Sequence, residues 1–197
     1  NIYESKTILA PVNSSNGISG ALGNFGGLAG LAGISLPSGK DEGNSVKALQ
    51  KIGSLSFFEN NILENIFLPD LMAVNYWDLQ TNILLYDDSK YQSTSDTWVR
   101  DVSYPKRQTP TAQESFQVFI DKHLHISQDQ KTGFVTLSIK HQSPFIAKQW
   151  VELIINEVNN YYRQKDKLES EKAVNYLNQQ IEMTGLTQIK QVIAELL

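Results

Sequence analysis

The sequence predicts an α+β fold, in which a small mixed sheet and packed helices form a base and one long extended helix projects from it. The first observation is the alternation of apolar and polar residues from Phe134 to His141, which is typical of a half-buried strand. The second is the segment from His125 to Gln128, which the turn at residues 129–133 folds back against that strand as a hairpin. The third begins at Pro144, after which the chain has no further proline and no glycine until Gly185. Strands and helices therefore occupy separate stretches of the chain, as in the α+β class.

The third stretch predicts one helix of unusual length. Ser143 can cap its first turn, and Pro144 fits the first helical position because no N–H is needed there. At 1.5 Å per residue this helix would be about 60 Å long by Thr184. Its first half carries an apolar stripe, but residues 163–172 are mostly charged and have little to bury on their own chain. This stretch could therefore pack against other copies of the chain or against a returning helix. The candidates for contact between copies are Tyr161, Lys165, Leu168, Lys172 and Leu177.

The N-terminal third predicts a strand, a loop and a helix. Ile2 to Val12 alternates imperfectly and reads as a strand. Residues 13–43 predict a glycine-rich loop, because Gly17 to Gly33 holds seven of the twelve glycines and glycine disfavours regular structure. A helix is then predicted to begin near Asn44 or Ser45, to continue through Leu55 to Phe67, and to end at Pro69.

The middle of the chain is polar and rich in turn residues. Residues 78–110 predict a surface excursion with one short strand at Ile83 to Tyr86. Thr111 and Glu114 then have the spacing of a capping box, which predicts a helix with Phe119 on its buried side. Together these elements predict an α+β base at residues 1–150 and a helical arm at residues 144–197, whose C-terminus looks truncated because the sequence ends inside a helical pattern.

Composition argues against several classes of function. The formal charge of -4, without a basic run, argues against nucleic-acid binding, which requires clustered lysine and arginine. The absence of cysteine excludes disulfides and thiolate chemistry. The glycine run lacks the spacing of a dinucleotide or phosphate-binding loop, so we predict no cofactor. Residues 7–39 carry no charge, but their glycine, serine and proline content argues against a membrane span.

The three histidines give weak support for a metal site. His125 and His141 could approach each other across the predicted hairpin, whereas His123 lies at the end of the preceding helix. A zinc site would need a third ligand with suitable geometry. We interpret the three as partly solvated histidines at the ends of elements and predict no bound metal.

The tryptophans and carboxylates leave two other functions open. Trp98 and Trp77 are candidate glycan contacts, because an indole ring can stack on a sugar face, whereas Trp150 lies beside the apolar stripe of the long helix and predicts core packing. A stand-alone carbohydrate-binding or adhesin-type domain would use those two rings. A hydrolase would instead need two carboxylates within reach of each other. Candidates for such a pair are Asp87, Asp88, Asp96 and Asp101.

A set of short segments, spread over nearly the whole chain, carries a family resemblance in its order and spacing. The segments are Tyr3–Lys6, Leu28–Ile34, Phe57–Phe58, Leu68–Leu71, Trp77–Asp78, Glu114–Phe116, Phe119–Ile120, Thr132–Ile139, His141, Ser143–Pro144, Ala147, Trp150, Asn156–Asn159 and Tyr176–Leu177. In this arrangement the chain resembles the polysaccharide chain-length determinants, the Wzz-like polysaccharide co-polymerases of Gram-negative inner membranes. Residues 78–110 depart from the resemblance and have no close counterpart.

The resemblance implies a place and a role for the chain. It implies a periplasmic domain held at the bacterial inner membrane between two transmembrane helices, with the α+β base near the membrane and the long helix rising from it. It also implies that protomers assemble side by side into a ring, as a homo-oligomer. The implied function is non-enzymatic and belongs to lipopolysaccharide biosynthesis: the ring sets the chain length of O-antigen or a related surface glycan. Its implied partners are the polysaccharide polymerase and undecaprenyl-linked glycan.

Overall fold

The computed structural model describes residues 1–10, 49–129 and 131–183, and omits the side chains of residues 177 and 180–183. The predicted glycine-rich loop at residues 13–43 and the last part of the predicted arm, residues 184–197, lie outside this description. The α+β class is confirmed at this level, since small sheets, short helices and one long C-terminal helix share the chain. Among the described helices, none combines the length and apolar character that a membrane span needs.

A three-stranded antiparallel sheet forms the centre of the base. Its strands are β1 (Tyr3–Leu9), β6 (Leu124–Gln128) and β7 (Val135–His141), in the order β1-β7-β6. The predicted hairpin is confirmed, with Leu124 opposite Ile139. The expected mixed sheet is wrong, because β1 also runs antiparallel to β7, with Tyr3 opposite His141. A chain reversal joins β6 to β7, and β1 completes the other edge, so no described strand has a parallel neighbour.

The helix predicted to run as far as Phe67 is interrupted at one place and ends at Asn65. Residues 49–52 are helical, but the chain turns at Gly53 and Ser54, and Ser54 Oγ accepts a hydrogen bond from the N–H of Phe57 to cap a new helix. This helix, α1, comprises Leu55–Phe57, a π-helical turn at Phe58–Ile62 and a 3-10 turn at Leu63–Asn65. Pro69 does not end it. Instead the proline lies in the first turn of the next helix, α2 (Leu68–Met72), where its missing N–H has no consequence.

The predicted polar excursion contains two hairpins. Strands β2 (Val74–Asp78) and β3 (Ile83–Tyr86) pair antiparallel, which confirms the short strand expected at residues 83–86. Strands β4 (Tyr91–Gln92) and β5 (Thr97–Trp98) form the second hairpin. The segment is more than a surface excursion, because Tyr91 is only 3% exposed. Its ring contacts Phe67, Tyr86 and Trp98, and such an aromatic cluster is not visible in a turn-rich local sequence.

Two further helices complete the described chain. Helix α3 (Ala112–Val118) starts with the predicted capping box and continues as a π-helical turn at Phe119–His123 into β6. Helix α4 spans Pro144–Met183, forty residues, and its first intrahelical bond runs from the N–H of Ala147 to the carbonyl of Ser143. Trp150 is 2% exposed, which confirms the prediction that it packs in the core. The largest fully buried side chains are Trp150, Phe57, Phe58, Phe119, Ile62, Leu137, Ile139 and Ile154.

Contacts divide the chain into two units, residues 1–155 and residues 156–197. The first unit contains the sheets, the short helices and the first turns of α4. In the second unit, none of the side chains described between residues 156 and 179 is buried. The hydrophobic core therefore belongs to the first unit.

Candidate functional site

A polar cleft of about 270 Å³ opens in the first unit. Its polar lining comes from α2, the turn before β4, the segment after β5, the end of the π-helical turn and the residue after β7. Three of these polar side chains are cations and one is a carboxylate. The polar residues are Asp70, Lys90, Arg100, Lys122, His123 and Gln142.

Asp70 is the buried carboxylate of the cleft. It lies in the first turn of α2 and is 8% exposed. The hydroxyl of Tyr86 donates to its Oδ1 at 2.7 Å, whereas its Oδ2 accepts no hydrogen bond from the described residues. Burial raises the pKa of this carboxyl, and the Tyr86 hydrogen bond opposes that shift. Asp70 thus lines the cleft with a largely buried carboxylate, one oxygen of which accepts no hydrogen bond from the described residues.

The three cations of the cleft differ in what neutralises them. Arg100 pairs with Glu114 at 3.3 Å and donates to the carbonyl of Gln108, so its charge and most of its N–H groups are already used. Lys90 pairs with Asp87 at 2.9 Å. For Lys122, no carboxylate of the described chain lies within ion-pair distance. Among the described residues, Lys122 is therefore the cation of the cleft that has no carboxylate partner.

The histidines that meet are His123 and His141, so the predicted approach of His125 to His141 is wrong. In the hairpin His125 lies opposite Ser138 and is exposed. Leu124, the first residue of β6, pairs with Ile139, two residues before the end of β7. The π-helical turn that precedes β6 therefore lies beside the end of β7 and brings His123 to His141. The rings of His123 and His141 are 5.5 Å apart between centroids.

These two histidines are buried, which corrects their interpretation as partly solvated residues. His123 is 7% exposed and His141 is 1% exposed. Trp150 contacts both rings, with centroid distances of 5.4 Å and 5.0 Å. The pair and the tryptophan thus join the π-helical turn, β7 and α4 within one packed cluster.

Backbone groups bond to both ring nitrogens of His141 and to Nδ1 of His123. Nδ1 of His141 accepts from the N–H of Ser143 at 3.0 Å, which leaves Nε2–H to donate to the carbonyl of Asp70 at 2.9 Å. Nδ1 of His123 lies 2.7 Å from the carbonyl oxygen of Lys140, to which the single N–H of a neutral ring can donate.

Burial keeps both rings neutral near neutral pH. It lowers the pKa of His123 to about 4 and lowers the pKa of His141 below its usual value. His141 has no ring nitrogen left for a substrate, because the backbone bonds to both of them. Through these bonds and that of His123 to Lys140, the pair fastens α2, the π-helical turn and β7 together.

The two tryptophans considered for glycan contact both pack against other rings. Trp77 donates its indole N–H to Asn82 Oδ1 at 2.9 Å, and its ring makes edge contacts with Tyr3 and Phe145. Trp98 is half-buried, and its ring lies 5.2 Å from that of Tyr91. Neither lines the polar cleft.

The carboxylates considered for hydrolysis are distributed around the small hairpins. Asp87 accepts from the backbone and hydroxyl of Ser89 and pairs with Lys90, and these bonds lower its pKa to about 2. It is therefore ionised near neutral pH and cannot act as a proton donor there. Asp96 accepts from the hydroxyl of Tyr91, while Asp88 and Asp101 are exposed.

The candidate interface residues all lie on α4 within the second unit. At 3.6 residues per turn, Tyr161, Lys165, Leu168 and Lys172 fall within about 60° of one another around the helix axis. Leu168 is 56% exposed. Leu177 lies about 160° from Tyr161 on the same count, and its side chain is outside the described part of the structure.

Comparisons with known proteins add no family assignment. No family profile, curated protein or solved structure matches the chain. In the described residues, no group of three or more histidine, aspartate or glutamate side chains is placed to hold a metal ion.

Sequence reasoning did not find the cleft. Its polar residues come from α2, the turn before β4, the segment after β5, the π-helical turn and the residue after β7. Such residues meet only through long-range packing, and none belongs to a local motif. The only local signal is that Asp70 follows a proline in the first turn of a helix, where the helix dipole favours a carboxylate. This position gives no reason to expect that the side chain is buried.

Proposed function

We propose that this chain is a non-enzymatic regulator of the chain length of a surface polysaccharide, O-antigen or a related lipopolysaccharide glycan. In this proposal it is the periplasmic part of an inner-membrane protein, anchored by flanking transmembrane helices, and it assembles as a homo-oligomeric ring. The ring acts with the polysaccharide polymerase on undecaprenyl-linked glycan. The family resemblance of the sequence supplies the biological role, and the surface of α4 supports the assembly.

The observation that carries the proposal is the solvent exposure of apolar side chains on the second unit. Leu168 is 56% exposed, Val174 55% and Tyr176 54%. A helix gains most of its stability from packing an apolar face, and here none of the described side chains beyond residue 155 is buried. Neighbouring copies of the same helix would supply the missing contacts.

The charges on this helix are compatible with such an assembly. Lys165 pairs with Glu169 and Lys167 with Glu171, each four residues apart. These exposed pairs contribute only a few tenths of a kcal/mol each, about 0.3–0.5. They keep the helix soluble between apolar positions, so the contacts that set assembly would be those of Leu168 and its neighbours.

The first unit supports a scaffold rather than a catalyst. Its buried histidines bond to the backbone, and Asp87 is held ionised by its neighbours. Its core fixes the start of α4 through Trp150 and Ile154. In the proposal the first unit is the base of the ring and the second unit supplies the contacts between protomers.

The deciding experiment measures mass in solution by light scattering across a concentration series, for this chain and for a version with its flanking membrane helices. We expect a defined higher oligomer that Leu168→Asp weakens by tenfold or more in protein concentration, because the substitution places a charge in an apolar contact. Leu79→Asp is the matched control, since Leu79 is 71% exposed in the first unit. Both variants should melt close to the parent, as exposed substitutions usually do.

Three outcomes count against the proposal. A monomer in both forms removes the ring. A collapsed melting temperature with unchanged assembly shows that Leu168 supports folding instead. The third outcome is measured in cells that carry the variant as their only copy. If assembly is lost but the distribution of glycan lengths is unchanged, the oligomer does not control glycan length. A monomer that binds glycan through Trp98 or Trp77 would favour the carbohydrate-binding alternative.

A further inference from the structure

We propose that the polar cleft of the first unit binds one acidic sugar residue, a sugar that carries a carboxylate. The inference rests on the proposed function only in taking that sugar to be part of the surface glycan. The cleft itself, its charges and its buried acceptor belong to the first unit and do not depend on assembly.

The size of the cleft sets the size of the ligand. Its volume of about 270 Å³ is just below the range of ordinary small-molecule pockets, which begins at about 300 Å³. It can therefore enclose a group of the size of one sugar residue, with the rest of a chain remaining outside.

Lys122 supplies the charge that selects an anion. Its ammonium group has no carboxylate partner among the described residues, whereas Lys90 and Arg100 are balanced by Asp87 and Glu114. The side chain of Lys122 is also exposed, so it can reach an incoming carboxylate without breaking an existing bond. Gln142 adds an uncharged donor to the same lining.

Asp70 determines which anion fits. It is 8% exposed, and its Oδ2 accepts no hydrogen bond from the described chain. A buried acceptor without a donor is costly, and a ligand that brings a hydroxyl group relieves that cost. A sugar acid presents both groups that the described residues do not supply to the cleft, a carboxylate for Lys122 and hydroxyls for Asp70. Inorganic phosphate spreads its charge over all its oxygens and would bring a like charge to Asp70, whereas a sugar acid can direct an uncharged hydroxyl there and keep its carboxylate at Lys122.

The experiment is a titration of the full chain, followed by the backbone amide shifts in NMR spectra. Glucuronate, glucose and inorganic phosphate are added separately at low ionic strength. We expect glucuronate to shift amides beside the cleft, including Val74, Lys90 and Gln142, and to bind at least fivefold more tightly than glucose or phosphate. Added salt should reduce that preference, since Lys122 is exposed and its charge is screened.

Two substitutions test separately the contributions of Lys122 and Asp70 to binding. Lys122→Gln should weaken glucuronate binding about fivefold to tenfold, as expected for one lost charge-assisted hydrogen bond, and should bring glucuronate and glucose to equal affinity. Asp70→Asn, which keeps the shape of the side chain, should weaken the binding of both glucuronate and glucose. Lys148→Gln is the control of equal charge change, because Lys148 is exposed on α4 and pairs with Glu152 instead of lining the cleft.

Several results would overturn the site. These are absence of shifts at the cleft, equal binding of glucose and glucuronate by the parent chain, phosphate binding as tight as that of glucuronate, or an equal effect of Lys148→Gln. The fate of the scaffold is measured separately by light scattering. If the chain binds the sugar but stays monomeric, the site is supported and the ring is contradicted. If the chain assembles but does not bind the sugar, the ring is supported and the site is contradicted.

Discussion

His123 and His141 should make the first unit sensitive to mild acid. In the unfolded chain a histidine takes up a proton near pH 6.5, whereas burial lowers the folded pKa of His123 to about 4 and that of His141 in the same direction. The unfolded state therefore binds more protons between these values, and stability present above pH 6.5 is lost as pH falls toward 4. His123 alone should cost about 2 kcal/mol of unfolding free energy between pH 7 and pH 5. Urea unfolding at a series of pH values measures this slope.

A histidine on the neighbouring strand provides the control. His125 is exposed on β6, so His125→Gln should leave the slope in place, whereas His123→Gln should flatten it. Asp70 opposes the effect at lower pH because its own pKa is raised by burial. If His123→Gln fails to fold, the ring protons of the parent chain still report the titration. A ring of His123 that titrates above pH 6 would contradict the burial argument.

Sequence reasoning predicts the neighbours of a residue along the chain better than its neighbours across the sheet. It predicted that Trp150 packs in the core, because the apolar stripe of α4 is a local pattern. It paired His141 with the wrong histidine, because the register of β6 against β7 sets which residue comes level with His141. A shift of register by one or two residues changes every such partner, and the side-chain pattern alone did not fix it.

Among the elements, helix α3 should depend measurably on its cap. Thr111 Oγ1 accepts from the N–H of Glu114, and the Glu114 carboxylate accepts from the N–H of Thr111 at 2.9 Å. Removing the hydroxyl leaves a helix N–H without its partner, so Thr111→Ala should lower the unfolding free energy by about 1 kcal/mol. Thr111→Ser, which keeps the hydroxyl, should remain close to the parent in urea unfolding.

A second threonine provides the control for the urea unfolding measurement. Thr94→Ala removes an exposed threonine hydroxyl in the β4–β5 turn and should change stability by less than about 0.5 kcal/mol. Equal stability of the Thr111 alanine and serine variants would show that the cap contributes nothing. Glu114 is a poorer probe, since it also pairs with Arg100 at 3.3 Å and its loss would remove two interactions.

Elements were predictable where the signal is short-range. The capping box, the β6–β7 hairpin and the start of α4 at Pro144 each depend on residues within a few positions of one another. The prediction that Pro69 ends a helix is wrong, because proline is equally suited to the first turn of a new helix and local sequence does not separate the two roles. The break at Gly53 and Ser54 was missed because apolar spacing continues in helical register across it.

At the scale of the whole molecule, the partnership of β1 with β7 joins the two ends of the first unit. Tyr3 lies opposite His141, and Leu9 lies opposite Val135. No periodicity in either strand indicates this pairing, because a half-buried pattern accepts many partners. The polar cleft has the same origin, since Asp70, Lys90 and Lys122 meet only after such long-range pairing has formed.

The two units should differ in hydrogen exchange, and assembly should change only one of them. Strand β7 is hydrogen-bonded on both sides and includes the fully buried Leu137 and Ile139, so its amides should exchange only through global unfolding. Residues 163–176 of α4 have no buried side chain, and in a monomer their amides should exchange at least a hundredfold faster than those of β7. Raising the protein concentration through the assembly transition should then slow exchange at residues 165–172 and leave β7 unchanged, because contacts between copies would cover Leu168.

Mass spectrometry of exchanged peptides measures both regions at once, and Leu168→Asp should abolish the concentration effect. Protection of residues 163–176 equal to that of β7 in the monomer would mean that the helix needs no partner, and the argument for assembly from its exposed apolar residues would fail.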